Sequence, residues 1–202
     1  MSSKKVIWLK ISGICGILIP IVAFTGIFLA VASYPQFSWT GNALSDLGVV
    51  EGVTAVLLNF SLVIGGILAL ISASGFFIFL RDDVLGRIGV FMFVLAALAL
   101  IAIGIFPENV KPTHFYASEA LFIISHISMF FMGTTFLRAG KMKLGLFTFL
   151  LAIVSLVAWI IQFSTRFVLG VAIPETISSI SISTWIIVLC YTMLKEISHS
   201  RK

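Results

Sequence analysis

Charged residues are scarce in this chain of 202 residues: they make up 10% of the sequence, whereas hydrophobic residues make up 60%. A water-soluble domain has about a quarter of its residues charged. The mean hydropathy of +1.18 means that one soluble core cannot bury so much apolar surface. The composition therefore excludes an ordinary soluble domain and indicates an integral membrane protein, for which the bilayer acts as the solvent.

Cysteine is also scarce, and the chain has no local motif for the common metal and nucleophile sites. Cys15 and Cys190 each lie inside an apolar run, and no CxxC, HExxH or GxSxG sequence occurs. These absences exclude a local dithiol or cysteine-zinc motif, a zinc-protease helix and a serine-hydrolase elbow. We interpret both cysteines as buried free thiols.

Six apolar runs are long enough to cross a bilayer, which takes about 20 helical residues. Their hydrophobicity is continuous rather than alternating, which favours helices over membrane strands. The first run is too long for a signal peptide, so we interpret it as a retained span. The prediction is an all-α integral membrane protein, with a single bundle of six transmembrane helices in one domain over residues 1–202. The predicted spans are 6–33, 53–80, 88–105, 115–137, 144–162 and 175–194.

The basic residues divide unevenly between the two sets of connections. The set that contains Lys111 and Arg166 has no other basic residue, and the remaining eleven lie in the other set: Lys4, Lys5, Lys10, Arg81, Arg87, Arg138, Lys141, Lys143, Lys195, Arg201 and Lys202. Positive charge favours the cytoplasmic side. We therefore predict a multi-pass protein of the cell membrane with both termini cytoplasmic. Because the basic residues lie at the ends of apolar runs, we expect lipid rather than nucleic acid as the partner.

The connection between the first two runs contains the polar stretch "SWTGNALSDLG". Asn42 is predicted to start a short helix, and Gly48 is predicted to end it with a positive φ. Asp46 would then face the bundle. Two interpretations stay open for Asp46, namely a structural hydrogen bond or ion pair with Arg166, and a role in binding or catalysis.

More polar residues follow on the same predicted side of the membrane. His126 lies inside the fourth run, roughly 18–20 Å along the helix from its start, where an ionisable group should face protein rather than lipid. Each histidine can be a structural hydrogen-bonding group or a ligand, and Arg166 can reach lipid head groups or bind an anion. Asp46 and His114 are candidate metal ligands, although the residues do not establish any cofactor. The full set of candidate ligand-binding residues is Asn42, Ser45, Asp46, Glu108, His114, Glu119, His126, Gln162, Arg166 and Glu175.

Several short motifs together resemble one known family. They are "NALSDLG" after the first run, "GIFPE" at the end of the third, a histidine soon afterwards, and "PE" at the start of the sixth. The chain resembles the uncharacterised membrane proteins of domain of unknown function 998 over nearly its whole length. This resemblance implies six transmembrane helices and no established activity.

A looser similarity is to the alkaline ceramidases and adiponectin-receptor hydrolases, which use serine, aspartate and histidines around zinc. Ser45, Asp46, His114 and His126 are residues of similar type. The paired HxxxH of those enzymes is missing, and twelve residues along one helix separate the two histidines too far for a single ion.

The sequence predicts a polytopic membrane protein with an outward-facing polar pocket that binds a lipid or small ligand. The first alternative is an intramembrane metal-dependent lipid hydrolase, and the second is a small transporter. Whether the protein is an enzyme, and which protein partners it has, stay open at this point.

Overall fold

The computed structural model describes residues 3–199, so Arg201 and Lys202 of the predicted basic set lie outside the described residues. Six helices account for most of this range, and it contains no strand. The helices are α1 (Ser3–Ala32), α2 (Val53–Phe79), α3 (Val84–Ile105), α4 (Thr113–Arg138), α5 (Met142–Thr165) and α6 (Ala172–His199). A short 3-10 helix, Ser45–Val49, lies between α1 and α2.

All six helices are long and apolar enough to cross a membrane. The shortest, α3, has 22 residues and is about 33 Å long at 1.5 Å per residue, against a hydrocarbon core of about 30 Å. The prediction of an all-α protein with six candidate membrane spans is confirmed.

The helices form a closed ring in chain order. Each helix packs against the next along the chain, and α1 also packs against α6. The ring has two ends, which differ in composition. We call the end that carries Ser45–Val49 and the α3–α4 and α5–α6 connections the polar end, and the opposite end the basic end.

Large apolar side chains fill the basic half of the bundle. Trp185 of α6 contacts Phe93 of α3 edge-on, with ring centroids 5.9 Å apart, and Phe93 lies 5.7 Å from Phe76 of α2. Met129 and Met132 of α4 are fully buried in the same cluster. The larger of the two buried apolar clusters therefore lies in this half of the bundle.

Close approach between helices depends on small residues in α2. A Cβ atom at Gly66 would lie 2.9 Å from the carbonyl oxygen of Ala97, and one at Gly75 would lie 2.9 Å from the hydroxyl of Ser12. Any larger side chain at these positions would push α2 away from α3 or α1. These contacts hold the three helices together along the bilayer depth.

Asp83 fixes the connection between α2 and α3 at the basic end. Its Oδ1 accepts a hydrogen bond from the backbone N–H of Gly86 at 2.7 Å and from the Thr135 hydroxyl at 2.9 Å. Arg138 lies 3.9 Å from the other carboxylate oxygen. The Gly86 hydrogen bond is the main reason that the pKa of Asp83 is lowered. Asp83 therefore caps α3 and ties it to the end of α4.

Candidate functional site

The polar stretch between α1 and α2 folds against the start of α6. The carbonyl oxygen of Asn42 accepts hydrogen bonds from the backbone N–H groups of Val171 at 3.1 Å and Ala172 at 2.9 Å. The N–H of Gly170 donates to the carbonyl of Thr40 at 2.8 Å. A Cβ at Gly170 would lie 2.6 Å from the Asn42 nitrogen, so glycine is required for this close approach. The stretch is thus anchored to α6 rather than being a free loop.

Asn42 does not cap a helix, contrary to the sequence prediction. Its side-chain oxygen accepts from the N–H of Ser38 at 2.9 Å, and its side-chain nitrogen donates to Asp46 at 2.7 Å. The same Asp46 oxygen accepts from the N–H of Ala43 at 3.0 Å. Asp46 therefore closes the turn that precedes the 3-10 helix, because a carboxylate can accept from several donors at once.

The predicted role of Gly48 is also wrong. Gly48 lies within the 3-10 helix, and the positive φ in this connection belongs to Gly52, at 87°. A Cβ at Gly48 would lie 2.6 Å from the side-chain oxygen of Asn59. Close packing against α2, and not backbone conformation, explains this glycine. Leu44 and Leu47 are buried beside it.

Three carboxylates from three separate elements meet at the polar end. Glu175 of α6 accepts a hydrogen bond from the N–H of Leu44 at 2.6 Å, and Glu108 of the α3–α4 connection accepts from the Ser45 hydroxyl at 3.1 Å. Burial raises the pKa of the Glu108 carboxyl, and a hydrogen bond to the neighbouring Asp46 carboxyl raises that pKa further. Burial and the nearby Asp46 carboxyl therefore both disfavour the charged form of Glu108.

The two histidines of α4 have the same hydrogen-bonding pattern. Nδ1 of His114 lies 2.8 Å from the carbonyl oxygen of Phe106, and Nδ1 of His126 lies 2.6 Å from that of Phe122. Because a carbonyl oxygen only accepts, Nδ1 must carry the hydrogen in both rings. Nε2 of each neutral ring is then an acceptor. The Ser118 hydroxyl lies 3.3 Å from Nε2 of His114, whereas Nε2 of His126 is buried and has no hydrogen-bond partner among the described residues.

A cavity of about 600 Å³ lies between α4, α5 and the start of α6 at the polar end. Its walls are largely apolar, with Phe122 and Ile123 from α4 and Leu156, Trp159 and Phe163 from α5. It brings together six of the ten residues predicted from the sequence. These are Ser45, Glu108, His114, Glu119, His126 and Glu175.

The comparison with known proteins gives the family. The family model described as "Protein of unknown function (DUF998)" matches residues 17–192. The chain belongs to this family. No curated protein and no solved structure matches it. The matched range extends from α1 to α6 and includes every residue that lines the cavity of this DUF998 chain.

Four of the predicted residues do not line the cavity of the DUF998 bundle: Asn42 and Asp46 lie in the turn before the 3-10 helix, and Gln162 and Arg166 lie at the end of α5. Gln162 is buried, and its side-chain nitrogen donates to the carbonyl oxygens of Val168 and Gly170, each at 3.0 Å. Arg166 ends α5 in the left-handed conformation, with φ of 46°, and is exposed. Gln162 therefore holds the α5–α6 connection in place, and Arg166 takes no part in the carboxylate group.

The expected ion pair between Asp46 and Arg166 is absent. Within residues 3–198 the ion pairs are Arg81–Asp82, Arg138–Asp83 and Lys141–Glu196. Asp46 instead accepts hydrogen bonds from Asn42 and Ala43 in the adjacent turn. Arg166 ends α5 in the left-handed conformation and is exposed.

The candidate metal ligands are separately occupied by protein groups. Asp46 accepts from Asn42 and Ala43, and Nε2 of His114 is in contact with the Ser118 hydroxyl. In the described part of the chain, no three residues among histidine, cysteine, aspartate and glutamate are grouped so that they could hold a metal ion.

The aromatic wall was not predicted from the sequence of this DUF998 protein. The ring of Trp159 lies between Phe122, at 5.1 Å between centroids, and Phe163, at 5.5 Å. The relevant signal was the four-residue spacing that places Phe122 beside His126, and Trp159 beside Phe163, on one helix face. Polar and aromatic groups thus share this wall.

Proposed function

We propose that this DUF998 protein binds an amphipathic, lipid-like molecule in the cavity between α4 and α5. The single observation that carries the proposal is the combination of a largely apolar cavity of about 600 Å³ with carboxylates at one part of its wall. The apolar part of such a molecule would lie against the aromatic wall, and its polar end would lie near Glu108 and Glu175.

The size and lining of the cavity support a ligand of this kind. Small-molecule sites have volumes of roughly 300–1,000 Å³ and combine mostly apolar walls with a few polar groups that orient the ligand. Phe122, Trp159 and Phe163 give a continuous aromatic surface. Hydrocarbon chains and flat rings both pack well on such a surface.

The carboxylates favour a polar end that donates hydrogen bonds. Glu175 is nine-tenths buried, and only one of its two oxygens is hydrogen-bonded among the described residues, to Leu44. Glu108 also lines the cavity, with Lys111 as the one basic residue in the lining. Hydroxyl or ammonium groups complement these oxygens.

We further propose that the chain forms a single membrane domain over residues 1–202, with both chain ends in the cytoplasm and the cavity on the opposite side of the cell membrane. The excess of lysine and arginine at the basic end supports this orientation. The ligand would then enter from the outer leaflet.

A bulky substitution in the cavity tests the proposed binding. Leu156 lines the cavity, whereas Leu150, six residues earlier on α5, does not, and both side chains are exposed. Leu156→Trp should remove co-purifying lipid, measured by mass spectrometry of extracts from purified protein, and Leu150→Trp should leave it unchanged. Equal lipid content in the two variants would contradict the proposed site.

The hydrolase alternative can be examined in the same preparations. A stoichiometric metal in protein purified without a tag, lost in Asp46→Ala but retained in Glu51→Ala, would favour that alternative over simple binding. Glu51 is exposed in the same connection and provides the matched control.

A further inference from the structure

Ser118 and His114 form a hydroxyl–imidazole pair on the wall of the cavity at the polar end. Oγ of Ser118 lies 3.3 Å from Nε2 of His114, one turn earlier on α4, and both residues line the cavity. His114 is buried, whereas Ser118 is partly exposed. Because a serine side chain consists only of Cβ and Oγ, a serine in the lining presents its oxygen at the cavity surface.

The Phe106 carbonyl decides which atom of this pair donates. It accepts a hydrogen bond from Nδ1 of His114 at 2.8 Å, so Nε2 of the neutral ring carries no hydrogen and is an acceptor. The Ser118 hydroxyl must then be the donor. This is the arrangement of a nucleophile whose proton faces a general base, while a third group fixes the orientation of that base.

The Ser118 hydroxyl differs from other hydroxyls in the bundle. A serine or threonine inside a helix can donate to the carbonyl four residues earlier. Thr134 of α4 and Thr148 of α5 do so, at 2.8 and 2.9 Å. Ser118 is paired with the His114 ring instead. Its proton is therefore next to a group that can take it up during a reaction.

Two charged residues next to the pair suit acyl-transfer chemistry. A positive charge on the His114 ring lowers the pKa of the Glu108 carboxyl, and by reciprocity an ionised Glu108 stabilises the imidazolium that forms when His114 takes a proton. Lys111 is three residues before His114 and also lines the cavity. Its ammonium group is the cation available to an oxyanion that forms there.

Ser118 lies close to the depth of the ester bonds in membrane lipids. With 26 residues, α4 is about 39 Å long and, when centred, exceeds a hydrocarbon core of about 30 Å by roughly 4–5 Å at each end. Ser118 follows the first residue of the helix, Thr113, by about 7–8 Å. It therefore lies about 3 Å inside the hydrocarbon boundary, beside the region where acyl chains join their head groups.

We infer that Ser118 and His114 are the nucleophile and the general base of an acyl-transfer site, and that the molecule in the cavity is a lipid carboxylic ester that this site hydrolyses. The inference rests on the proposed lipid binding and adds a reaction to it. The aromatic wall would hold an acyl chain, and the ester group would lie against Ser118.

The reaction has two steps, and water is its co-reactant. Oγ of Ser118 bonds to the ester carbonyl carbon while its proton passes to Nε2 of His114, and the bond from that carbon to the alcohol oxygen breaks as the alcohol takes the proton. Water then gives a proton to His114 and attacks the acyl-serine. The bond from the acyl carbon to Ser118 breaks, the fatty acid leaves, and the serine oxygen regains its proton from His114.

A fluorophosphonate with a hexadecyl chain tests the nucleophile without knowledge of the natural ester. Oγ of Ser118 would bond to phosphorus, fluoride would leave, and the hydroxyl proton would pass to His114. The full-length protein is treated with the probe in detergent, and the modified residue is found by peptide mass spectrometry. We expect a single label on Ser118 that heat-denatured protein does not acquire. Hydrolysis of 4-nitrophenyl hexadecanoate by the same preparations measures turnover.

Three variants separate the roles of the two residues. Ser118→Ala should lose both the label and ester hydrolysis. His114→Gln keeps an N–H for the Phe106 carbonyl but has no imidazole, so it should acquire the label about a hundredfold more slowly. Thr134→Val is the control on the same helix, because the Thr134 hydroxyl is outside the cavity lining, and it should behave as the wild type. A melting curve for each variant confirms that it is folded.

The outcomes distinguish this inference from the proposed function. It is wrong if the wild type acquires no label, if the label is on another residue, or if Ser118→Ala hydrolyses the ester as fast as the wild type. Equal labelling rates for the wild type and folded His114→Gln also overturn it. In each of these cases the cavity remains a binding site if Leu156→Trp still loses its co-purifying lipid. If the label is absent and Leu156→Trp keeps its lipid, both proposals fail.

Discussion

Glu175 accepts a hydrogen bond from the backbone N–H of Leu44 at 2.6 Å, across 131 residues of sequence. This bond joins the first turn of α6 to the stretch between α1 and α2. The nearby bonds from Val171 and Ala172 to the Asn42 carbonyl reinforce the same contact. These polar contacts therefore tie the α1–α2 connection to the start of α6 at the polar end.

The Glu175–Leu44 hydrogen bond should contribute measurably to stability. Glu175→Gln keeps an acceptor for the Leu44 N–H, whereas Glu175→Leu leaves that buried donor unpaired. Because both replacements remove the same carboxyl group, the difference between them isolates the bond, and we expect the leucine variant to be less stable by ~1–3 kcal/mol. The measurement is unfolding in detergent for both variants. The pair Glu119→Gln and Glu119→Leu is the control, because Glu119 is exposed; equal stability of the two Glu175 variants would contradict the prediction.

Glu108 should make the protein less stable as the pH rises. Burial and the Asp46 carboxyl raise its folded-state pKa above the ordinary value of 4.5, so the folded protein retains a proton that the unfolded chain releases. The stability from protonated Glu108 is fully present below about pH 4.5 and is lost as the pH rises through the folded-state pKa. Glu108→Gln imitates the protonated form, so it should raise the melting temperature at neutral pH.

The test compares melting temperatures between about pH 4.5 and 8 for the wild type and Glu108→Gln. The gap between the two proteins should widen toward higher pH. Glu51→Gln, at an exposed position on the same end of the bundle, should follow the wild type throughout. A constant gap across this range would contradict a raised pKa for the Glu108 carboxyl in the folded protein.

Asp83 should have the opposite pH dependence. Its pKa is lowered in the folded protein, chiefly by the Gly86 N–H, so its contribution is present above the ordinary value of 3.8 and is lost as the pH falls through the folded-state pKa. Asp83→Ala should destabilise the protein by about 0.5–2 kcal/mol at pH 7 through loss of the helix cap. Asp83→Asn should retain most of the capping stability, but the loss of stability that Asp83 causes at acid pH should be absent from this variant.

Melting temperatures from pH 7 down to about 3 measure both effects. Asp82→Ala is the control at the adjacent position, since the Asp82 side chain is 89% exposed and its contact with Arg81 is on the surface. If Asp82→Ala and Asp83→Ala are equally destabilising, capping by Asp83 adds no specific stability to α3.

The helices could be predicted from sequence because the bilayer requires a minimum apolar length. The second span was predicted as 53–80 and α2 is Val53–Phe79, while the sixth was predicted as 175–194 and α6 is Ala172–His199. The larger errors in α6 lie at its ends, where the mostly polar residues 195–199 extend the helix beyond its predicted end and the apolar residues 172–174 precede its predicted start. Glu175 looked like the helix start, but three residues before it are already helical.

The site was only partly predictable, because the sequence shows which residues are polar but not whether their side chains point into the cavity. The residues that line the cavity share an end of the bundle with those that do not, so Gln162 and Arg166 seemed equivalent to Glu108 and Glu175 from sequence. The aromatic wall was missed because a lipid-facing phenylalanine and a cavity-facing one look the same within an apolar run. Separating the two requires knowing which helices are neighbours, and the Phe122–Trp159 contact supplies that information.

The proposed orientation leads to a labelling experiment in intact cells. Since basic residues are concentrated at one end of the bundle, that end should be cytoplasmic. In a background with Cys15→Ala and Cys190→Ala, single cysteines at Asp82 and Ala139 should resist a membrane-impermeant thiol reagent. Single cysteines at Glu51 and Asn109 should react.

All four labelling positions are exposed, so the membrane rather than local burial decides the result. Disrupting the cells provides the control, because Asp82→Cys and Ala139→Cys should then become as reactive as the other two. The reverse pattern in intact cells would place the carboxylates and the cavity on the cytoplasmic side. A ligand would then have to enter from the inner leaflet, and the charge distribution would have to be explained by something other than orientation.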